Sequence, residues 1–273
     1  MGVDTMKQNA LWISVVIFAS LATIFAFEDL PISRAIANPS SDWARLLEAY
    51  GQLPGALIGF LSGCVLLRLT KLEKSFKSIG SVILFFILTA FIGLSFWADV
   101  LGQQTGAKVN FLFVLALGIN SLVLVQAWFH LLPEEIMQKY KPFAQVAVPL
   151  FFIAGFIIVW AIKIPWGRWT YRDMLEISDL SLFTPWYLPQ GNNGHHSFIS
   201  GHTSIAFCVL PVVLLFRKSE IQFAIAWVLV MLWGVANALS SVVIGAHFPS
   251  DVFLGAGQTL FWFYILAGKI FRA

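Results

Sequence analysis

Charged residues are scarce in this sequence. Asp, Glu, Lys and Arg make up only 11% of its 273 residues, whereas 59% are hydrophobic and the mean hydropathy is +0.81. Because a soluble domain carries about 25% charged residues, this composition excludes a soluble globular protein and indicates an integral membrane protein. The net charge of +3 is spread among loops, so no nucleic-acid partner is expected and the lipid bilayer is the predicted partner.

Cysteine is equally rare. The two cysteines, Cys64 and Cys208, both lie inside apolar runs, which is typical of small core residues and not of a disulfide or metal pair. A small-residue cleavage pattern is also missing after the first apolar run, Leu11–Phe27, which continues into Glu28-Asp29-Leu30-Pro31. We therefore expect this run to be retained as a helix.

Long apolar runs dominate the rest of the chain, and eight of them approach the roughly 20 residues that a spanning helix needs. They are Leu11–Phe27, Pro54–Leu69, Ile79–Trp97, Val109–Leu132, Val146–Ile162, Ser200–Phe216, Ile221–Leu239 and Val252–Ile270. The sequence therefore predicts an all-α polytopic bundle in one integral membrane domain, residues 1–273. The catalytic core is expected in 146–270, with additional helices in 11–132 and a short surface helix within Glu28–Leu53.

Lysine and arginine are distributed unevenly if the N-terminus is placed inside. The inner segments then hold 11 of the 17, including Lys74 and Arg272, and the outer segments hold the rest, including Lys108. Because cytoplasmic loops are enriched in these residues, we predict both termini inside, in the plasma membrane or bacterial inner membrane. The loop Lys163–Ile199 and the loop that carries His247 then both face the periplasm or exterior.

The tripeptide Ser200-Gly201-His202 begins the sixth apolar run. Glycine lets a backbone approach a ligand closely, and the free N–H groups at a helix start attract anions. A histidine at such a position can protonate a leaving oxygen. We therefore predict that Ser200 and Gly201 bind a phosphate beside His202.

The segment from Gly245 to Asp251 joins the last two runs on the same predicted side. His247 and Asp251 are four residues apart, so they can share one face of a helix. An aspartate that holds one imidazole nitrogen leaves the other free as a nucleophile. The alternative, that Asp251 only caps the first turn of the last helix, is compatible with this role.

Three cations, Lys163, Arg168 and Arg172, follow the fifth run. Beside two histidine motifs they predict an anion site, because arginine binds phosphate through two parallel hydrogen bonds. Anchoring to lipid headgroups is the alternative. Acidic residues between Asp173 and Asp179, with His195-His196, offer donors for a cation, but a solvated helix face is the preferred interpretation. No metal or other cofactor is predicted.

In this arrangement the sequence resembles the type 2 phosphatidic acid phosphatase superfamily. The motifs of that family are Lys-x6-Arg-Pro, Pro-Ser-Gly-His and Ser-Arg-x5-His-x3-Asp, and the resemblance extends from Lys163 to Gly255. It implies a helical bundle in which His247 accepts the phosphoryl group and Asp251 orients it. It also implies that His202 is the general acid and that Lys163 binds the phosphate, without a metal.

Several family residues are replaced in this chain. The substituted positions hold Thr170 and Tyr171 in the first motif, Ile199 in the second and Ser241 in the third. Two family arginines are therefore missing, and losing one such phosphate donor costs about 3–4 kcal/mol of transition-state stabilisation. Arg168 and Arg172, two residues on either side of Thr170, are the predicted replacements for the first-motif arginine, and nothing nearby replaces that of the third motif.

These features predict a membrane lipid phosphatase that hydrolyses a lipid phosphate or diphosphate at the extracytoplasmic face through a phosphohistidine. Two alternatives are a lipid phosphotransferase and, because of Thr170 and Ser241, a family member that binds lipid phosphate without efficient turnover. A small-solute transporter fits less well, since the ionisable residues lie at span ends and not at mid-membrane.

Overall fold

The computed structural model describes residues 3–71, 76–105 and 110–271. Lys74, Lys108 and Arg272, which entered the charge comparison, lie outside these ranges. The described chain is helical over most of its length and contains no strand, so the predicted all-α helical membrane bundle is confirmed.

Most of the helices follow one another with short connections, whereas a long loop over residues 177–200, with one 3₁₀ turn at Leu180–Leu182, joins α8 to α9. Within the described ranges they are α1 (Val3–Ile36), α2 (Asp42–Tyr50), α3 (Leu53–Leu69), α4 (Phe76–Thr105), α5 (Phe111–Leu131), α6 (Glu134–Leu150), α7 (Ile158–Trp166), α8 (Tyr171–Glu176), α9 (Gly201–Ala206), α10 (Glu220–Val243) and α11 (Pro249–Phe271). A π-helical segment, Phe151–Ile157, joins α6 to α7, and a 3₁₀ helix, Phe207–Phe216, continues α9. The side chains of Asn110 and Ser219 accept backbone N–H bonds at the starts of α5 and α10, which satisfies donors left open there.

Six helical stretches of the described residues are long and apolar enough to cross a membrane. They match the first five predicted runs and the seventh. The sixth run corresponds to the shorter apolar helix Gly201–Phe216, and the eighth corresponds to α11. The number of eight spans and the inside position of both termini stay predictions. The first helix continues beyond Phe27, where the sequence predicted its end, to Ile36.

The core lies between α3, α4, α6, the 3₁₀ helix, α10 and α11, where apolar side chains from all of these elements meet. Cys64 and Cys208 are buried there as free thiols, as the sequence predicted. The outward faces of the helices expose large apolar side chains such as Leu131 and Ile221. In a bilayer these faces contact lipid, so their exposure follows from the membrane environment.

Helix α2 packs tightly against α10 because of a glycine at its end. A Cβ on Gly51 would lie only 1.4 Å from Oδ1 of Asn237, so a larger residue would separate the two helices. The backbone N–H of Asn38 also donates to the carbonyl of Val243, 2.6 Å away. These contacts fix α2 beside the end of α10, and with it the acidic side chain of Glu48.

The π-helical segment is connected to α9 and α11 through Gln258. Its Nε2 donates to the carbonyl of Ala154 at 2.8 Å and to Oγ of Ser204 at 3.1 Å. A π-helical turn leaves its carbonyls differently placed from those of an α-helix, and here a side chain of another helix satisfies one of them. The two helices that bear His202 and Asp251 are thereby tied to the π-helical segment.

Candidate functional site

Ser200 links the two histidine-containing segments through its backbone. Its N–H donates to the carbonyl of Asp251 at 3.0 Å, and its Oγ accepts from the N–H of Thr203 at 3.2 Å. Ser200 is fully buried, whereas His202 on the first turn of α9 is 37% exposed. The predicted meeting of the Ser-Gly-His and His-x3-Asp segments is therefore present. Since its N–H and Oγ already have partners, phosphate binding by Ser200 stays a prediction.

His247 lies in the connection between α10 and α11, and it is 5% exposed. Its backbone N–H donates to the carbonyl of Ser241 at 3.1 Å. Asp251, one turn into α11, is completely buried and is surrounded by donors. Its Oδ2 accepts from the N–H of Phe248 at 2.9 Å and from Oγ of Ser197 at 2.5 Å. The carboxylate is thereby fixed beside His247.

The imidazole rings of His202 and His247 lie close together, with centroids 6.4 Å apart. Each has a carboxylate near its Nδ1: Oδ2 of Asp251 is 3.6 Å from His247, and Oε1 of Glu48 is 3.7 Å from His202. Among the residues that the structure describes, neither Nε2 has a hydrogen-bond partner. Both carboxylates lie slightly beyond hydrogen-bond distance, and Nδ1 of His247 has no hydrogen-bond partner among the described residues. The arrangement therefore offers two imidazoles, each with a carboxylate beside Nδ1 and an open Nε2.

Burial lowers the pKa of His247 from its ordinary value, and the neighbouring charge of Lys163 acts in the same direction. The hydrogen-bonding and charge effects of Asp251 oppose this change but are smaller than the effect of burial. His247 is consequently a neutral imidazole at neutral pH, which is the form that a nucleophile requires.

Lys163, on α7, lies beside the Ser-Gly-His segment. Its Cε is 3.8 Å from the position that a Cβ on Gly201 would occupy, and its Nζ donates to the carbonyl of His196. The negative charges of Asp251 and Glu48 are near enough to attract this ammonium group. Lys163 is thus close to both histidine segments, as its predicted role requires.

Arg168 occupies a different environment from the one expected of a phosphate ligand. It is 1% exposed, and four N–H bonds use its guanidinium. Its partners are Asp251 Oδ1 at 2.5 Å, Asp29 Oδ2 at 2.8 Å, Ser250 Oγ at 2.9 Å and the carbonyl of Thr184 at 2.9 Å. With so few donors left, Arg168 is placed to hold Asp251, and this placement favours a positioning role over phosphate binding.

Arg172 approaches the site from the other side. Its N–H donates to the carbonyl of Gly245 at 2.8 Å, and its exposed side chain lines a cavity together with Arg45 and Glu176. Thr170, at the position of the family's first arginine, caps α8 by accepting from the N–H of Asp173 at 3.0 Å. Arg172 is therefore the exposed cation of the two predicted replacements, and its contact with phosphate stays a prediction.

The position of the third-motif arginine has an unexpected partner. Ser241 is 1% exposed, and its Oγ donates to Oε2 of Glu48 at 2.8 Å. A carboxylate therefore lies where the family pattern has a cation. In the described residues no three His, Cys, Asp or Glu side chains come together as a metal site, and the acidic loop residues from Asp173 to Asp179 form none.

Comparison with known proteins identifies the part of the chain that bears most of these residues. The model of the PAP2 superfamily matches residues 165–272, which include His202, His247 and Asp251. Over residues 165–272 the chain is thus similar to the PAP2 superfamily. The family resemblance of the sequence is thereby confirmed. Lys163 lies two positions before the match, and α1 to α6 precede it.

One curated relative gives the comparison more detail. An alignment of 89 residues is 31% identical to phosphatidylglycerophosphatase B of Bacillus subtilis (strain 168). It covers 31% of this chain and 44% of that protein, so the match spans less than half of the relative. No solved structure matches the chain.

Two residues at the site were missed by sequence reasoning. Asp29 was placed after the first span, in the segment Glu28–Leu53, although it lies inside α1 and is fully buried against Arg168. Glu48 was part of a predicted surface helix, where a carboxylate is ordinary and does not indicate a functional role. The available signal was Asp29 itself, since a charged residue that continues an apolar helix usually has a buried partner.

Proposed function

We propose that this protein is a lipid phosphatase that releases phosphate from a lipid phosphate or diphosphate through a phosphohistidine on His247. One observation supports it most strongly. Two imidazoles lie 6.4 Å apart between centroids, and each has a carboxylate within 3.7 Å of its Nδ1. Such a pair supplies a nucleophile and an acid on opposite sides of one phosphorus atom.

In the first step, neutral Nε2 of His247 attacks phosphorus and forms the P–N bond while the bond from phosphorus to the lipid oxygen breaks. The proton on Nε2 of His202 moves to that oxygen, so the lipid leaves as a neutral alcohol or, from a diphosphate, as a protonated monophosphate. In the second step, water attacks phosphorus and gives its proton to His202, and the P–N bond breaks. Inorganic phosphate and free His247 result.

Asp251 and the cations act on these steps through charge. Asp251 stabilises the positive charge that develops on His247 as the P–N bond forms. Lys163 and Arg172 are proposed to bind the phosphate oxygens, together with the N–H of Gly201. Charge stabilisation of this kind is usually the largest contribution to such a reaction.

A lipid substrate is supported by an apolar groove beside the histidines. The groove has a volume of about 700 Å³, and residues of α1, α7 and α11 line it together with Phe198 and Ile199. Ile199 immediately precedes Ser200, so an acyl chain in the groove would lead its phosphate to the Ser-Gly-His segment. By analogy with the relative's name, phosphatidylglycerophosphate is the first substrate to test.

The proposed location is the plasma membrane, or the inner membrane of a bacterium, with the site facing the periplasm or exterior. The support is the excess of lysine and arginine in the segments placed inside. A cysteine-labelling test decides the side: a membrane-impermeant maleimide should modify a cysteine introduced at Tyr187, in the loop before α9, in intact cells. Labelling only after lysis would reverse the orientation.

The experiment for activity uses purified protein in lipid micelles and measures phosphate release from phosphatidylglycerophosphate, phosphatidate, an isoprenoid diphosphate and a lipid A phosphate. We expect release from at least one of them and none from His247→Ala. Addition of an acceptor alcohol tests for phosphotransferase activity, because transfer would yield a new phosphate ester in place of inorganic phosphate.

A second candidate function is supported by the bond between Ser241 and Glu48. A carboxylate at the family's arginine position weakens phosphate stabilisation, which favours a protein that binds lipid phosphate without efficient turnover. This alternative predicts binding of radiolabelled lipid phosphate with no product. It also predicts that Thr170→Arg combined with Ser241→Arg creates activity.

A further inference from the structure

Glu48 reaches the catalytic residues from a helix outside the matched family segment. Its α2 packs on the end of α10, and its side chain is 16% exposed. One carboxylate oxygen, Oε2, accepts from Oγ of Ser241 at 2.8 Å, and the other, Oε1, lies 3.7 Å from Nδ1 of His202. The carboxylate therefore bridges the substituted arginine position and one of the two histidines.

A carboxylate beside a phosphate site repels the substrate unless a positive charge compensates it. His202 is the nearest group that can supply this charge, since its imidazolium would lie in direct contact with Oε1. Arg172 also acts on Glu48 through its charge, but less strongly than His202 does. The geometry thus pairs Glu48 with His202, in the way that Asp251 is paired with His247.

We infer that Glu48 is a positioning residue for His202, and this inference rests on the proposed phosphatase function. Its carboxylate accepts the Nδ1–H bond of His202 and fixes the ring with the Nε2–H available for the leaving oxygen. Ser241 holds the carboxylate in place through Oε2. Ser241, which replaces the family's arginine, therefore helps to position the general acid His202 and does not bind the phosphate.

The contribution of a general acid to the rate depends on how much the leaving group needs a proton. A residue with a purely structural role would instead affect all substrates alike. An alkyl phosphate releases an unstable alkoxide, so proton transfer from His202 must accompany cleavage of the P–O bond. A p-nitrophenyl phosphate releases a delocalised nitrophenolate that departs without a proton. Loss of Glu48 should therefore slow the first substrate far more than the second.

The test compares Glu48→Gln with wild type on phosphatidylglycerophosphate and on p-nitrophenyl phosphate, with folding checked by size-exclusion chromatography and thermal unfolding. We expect kcat on the lipid to fall about 10-fold or more, while kcat on p-nitrophenyl phosphate changes less than about threefold. Ser241→Ala, which removes the donor to Oε2 and keeps Glu48, should show the same pattern with a smaller loss. Glu135→Gln, at an exposed acid in the first turn of α6, is the matched control and should leave both rates unchanged.

A double-variant cycle completes the test, because residues that act as a unit lose activity non-additively. His202→Ala combined with Glu48→Gln should be no slower than His202→Ala alone. Equal losses on both substrates, unchanged rates in Glu48→Gln or additive losses in the double variant would each overturn the positioning role. If another lipid of the panel is the substrate, it replaces phosphatidylglycerophosphate in this comparison. A wild-type protein that releases phosphate from none of the four lipids and not from p-nitrophenyl phosphate would instead overturn the proposed function, and this inference with it.

Discussion

Nη1 of Arg168 lies 2.5 Å from Oδ1 of Asp251, and both side chains are almost completely buried. Nη2 of the same guanidinium lies 2.8 Å from Oδ2 of Asp29. One guanidinium therefore bridges two carboxyl groups, one from α1 and one from α11. Asp251 is the carboxylate that holds His247, so the first helix of the chain is joined to the proposed nucleophile through a buried ion pair.

This network predicts a large loss of stability in Arg168→Ala. The variant leaves two buried carboxylates without their cation, and breaking a buried ion pair costs about 3–5 kcal/mol. Thermal unfolding in detergent, followed by tryptophan fluorescence, should show a lower Tm for Arg168→Ala and a smaller decrease for Asp29→Ala. Glu28→Gln, at the exposed neighbouring position, is the control. Wild-type Tm values in both alanine variants would show that the network does not stabilise the fold.

The environment of His247 predicts an unusual acid limit of activity. Burial lowers the pKa of His247 below the ordinary value of about 6.5, so the ring stays neutral to lower pH. Activity should persist as pH falls through 6.5 and decline only below it, once His247 becomes protonated. The measurement is kcat/KM between about pH 5 and 8, corrected for the ionisation of the substrate phosphate by ³¹P NMR. A midpoint at or above 6.5 on the acid side would contradict the assignment.

The apolar groove predicts a chain-length effect. Ala19 lines the groove on α1, so Ala19→Trp should obstruct an acyl chain without touching the histidines. We expect a higher KM for long-chain lipid phosphates and unchanged kinetics with p-nitrophenyl phosphate. Val16→Trp, on the exposed surface of the same helix and outside the groove lining, is the matched control. Equal KM values for Ala19→Trp and Val16→Trp would show that the groove does not bind the acyl chain.

The bond between Ser241 and Glu48 predicts that restoring the family arginine alone will not help. In Ser241→Arg the new guanidinium should pair with Glu48 and withdraw it from His202, so activity on lipid should decrease. Ser241→Arg combined with Glu48→Gln frees the guanidinium for phosphate and should be faster than Ser241→Arg. Phosphate release by the two variants decides the matter, and a higher rate in Ser241→Arg alone would contradict the pairing.

The sequence predicted the parts of the fold that depend on local pattern. Apolar runs gave the helices, and the spacing of His202, His247 and Asp251 placed the two histidine segments together, because each one lies at a span end on the same side. The predicted helix boundaries were less accurate. Helix α1 runs past Glu28 and Pro31, because the buried contacts of Asp29 stabilise its continuation.

Contacts between distant segments could not be predicted in this way. Arg168 was assigned to phosphate because of its distance in sequence from Thr170. Its actual direction depends on Gly167, which ends α7 in the left-handed region with φ 55°. The partnership of Glu48 with His202 depends on the close approach of α2 to α10 at Gly51, which no local pattern reveals.

The nucleophilic role of His247 is the central claim, and trapping of the covalent intermediate tests it most directly. Wild-type protein should be quenched within milliseconds of mixing with ³²P-labelled lipid phosphate and then examined for bound label. We expect a protein-bound phosphate that is labile to acid and stable to alkali, and no label in His247→Ala. Retention of the label or of phosphate release in His247→Ala would show that another residue accepts the phosphoryl group.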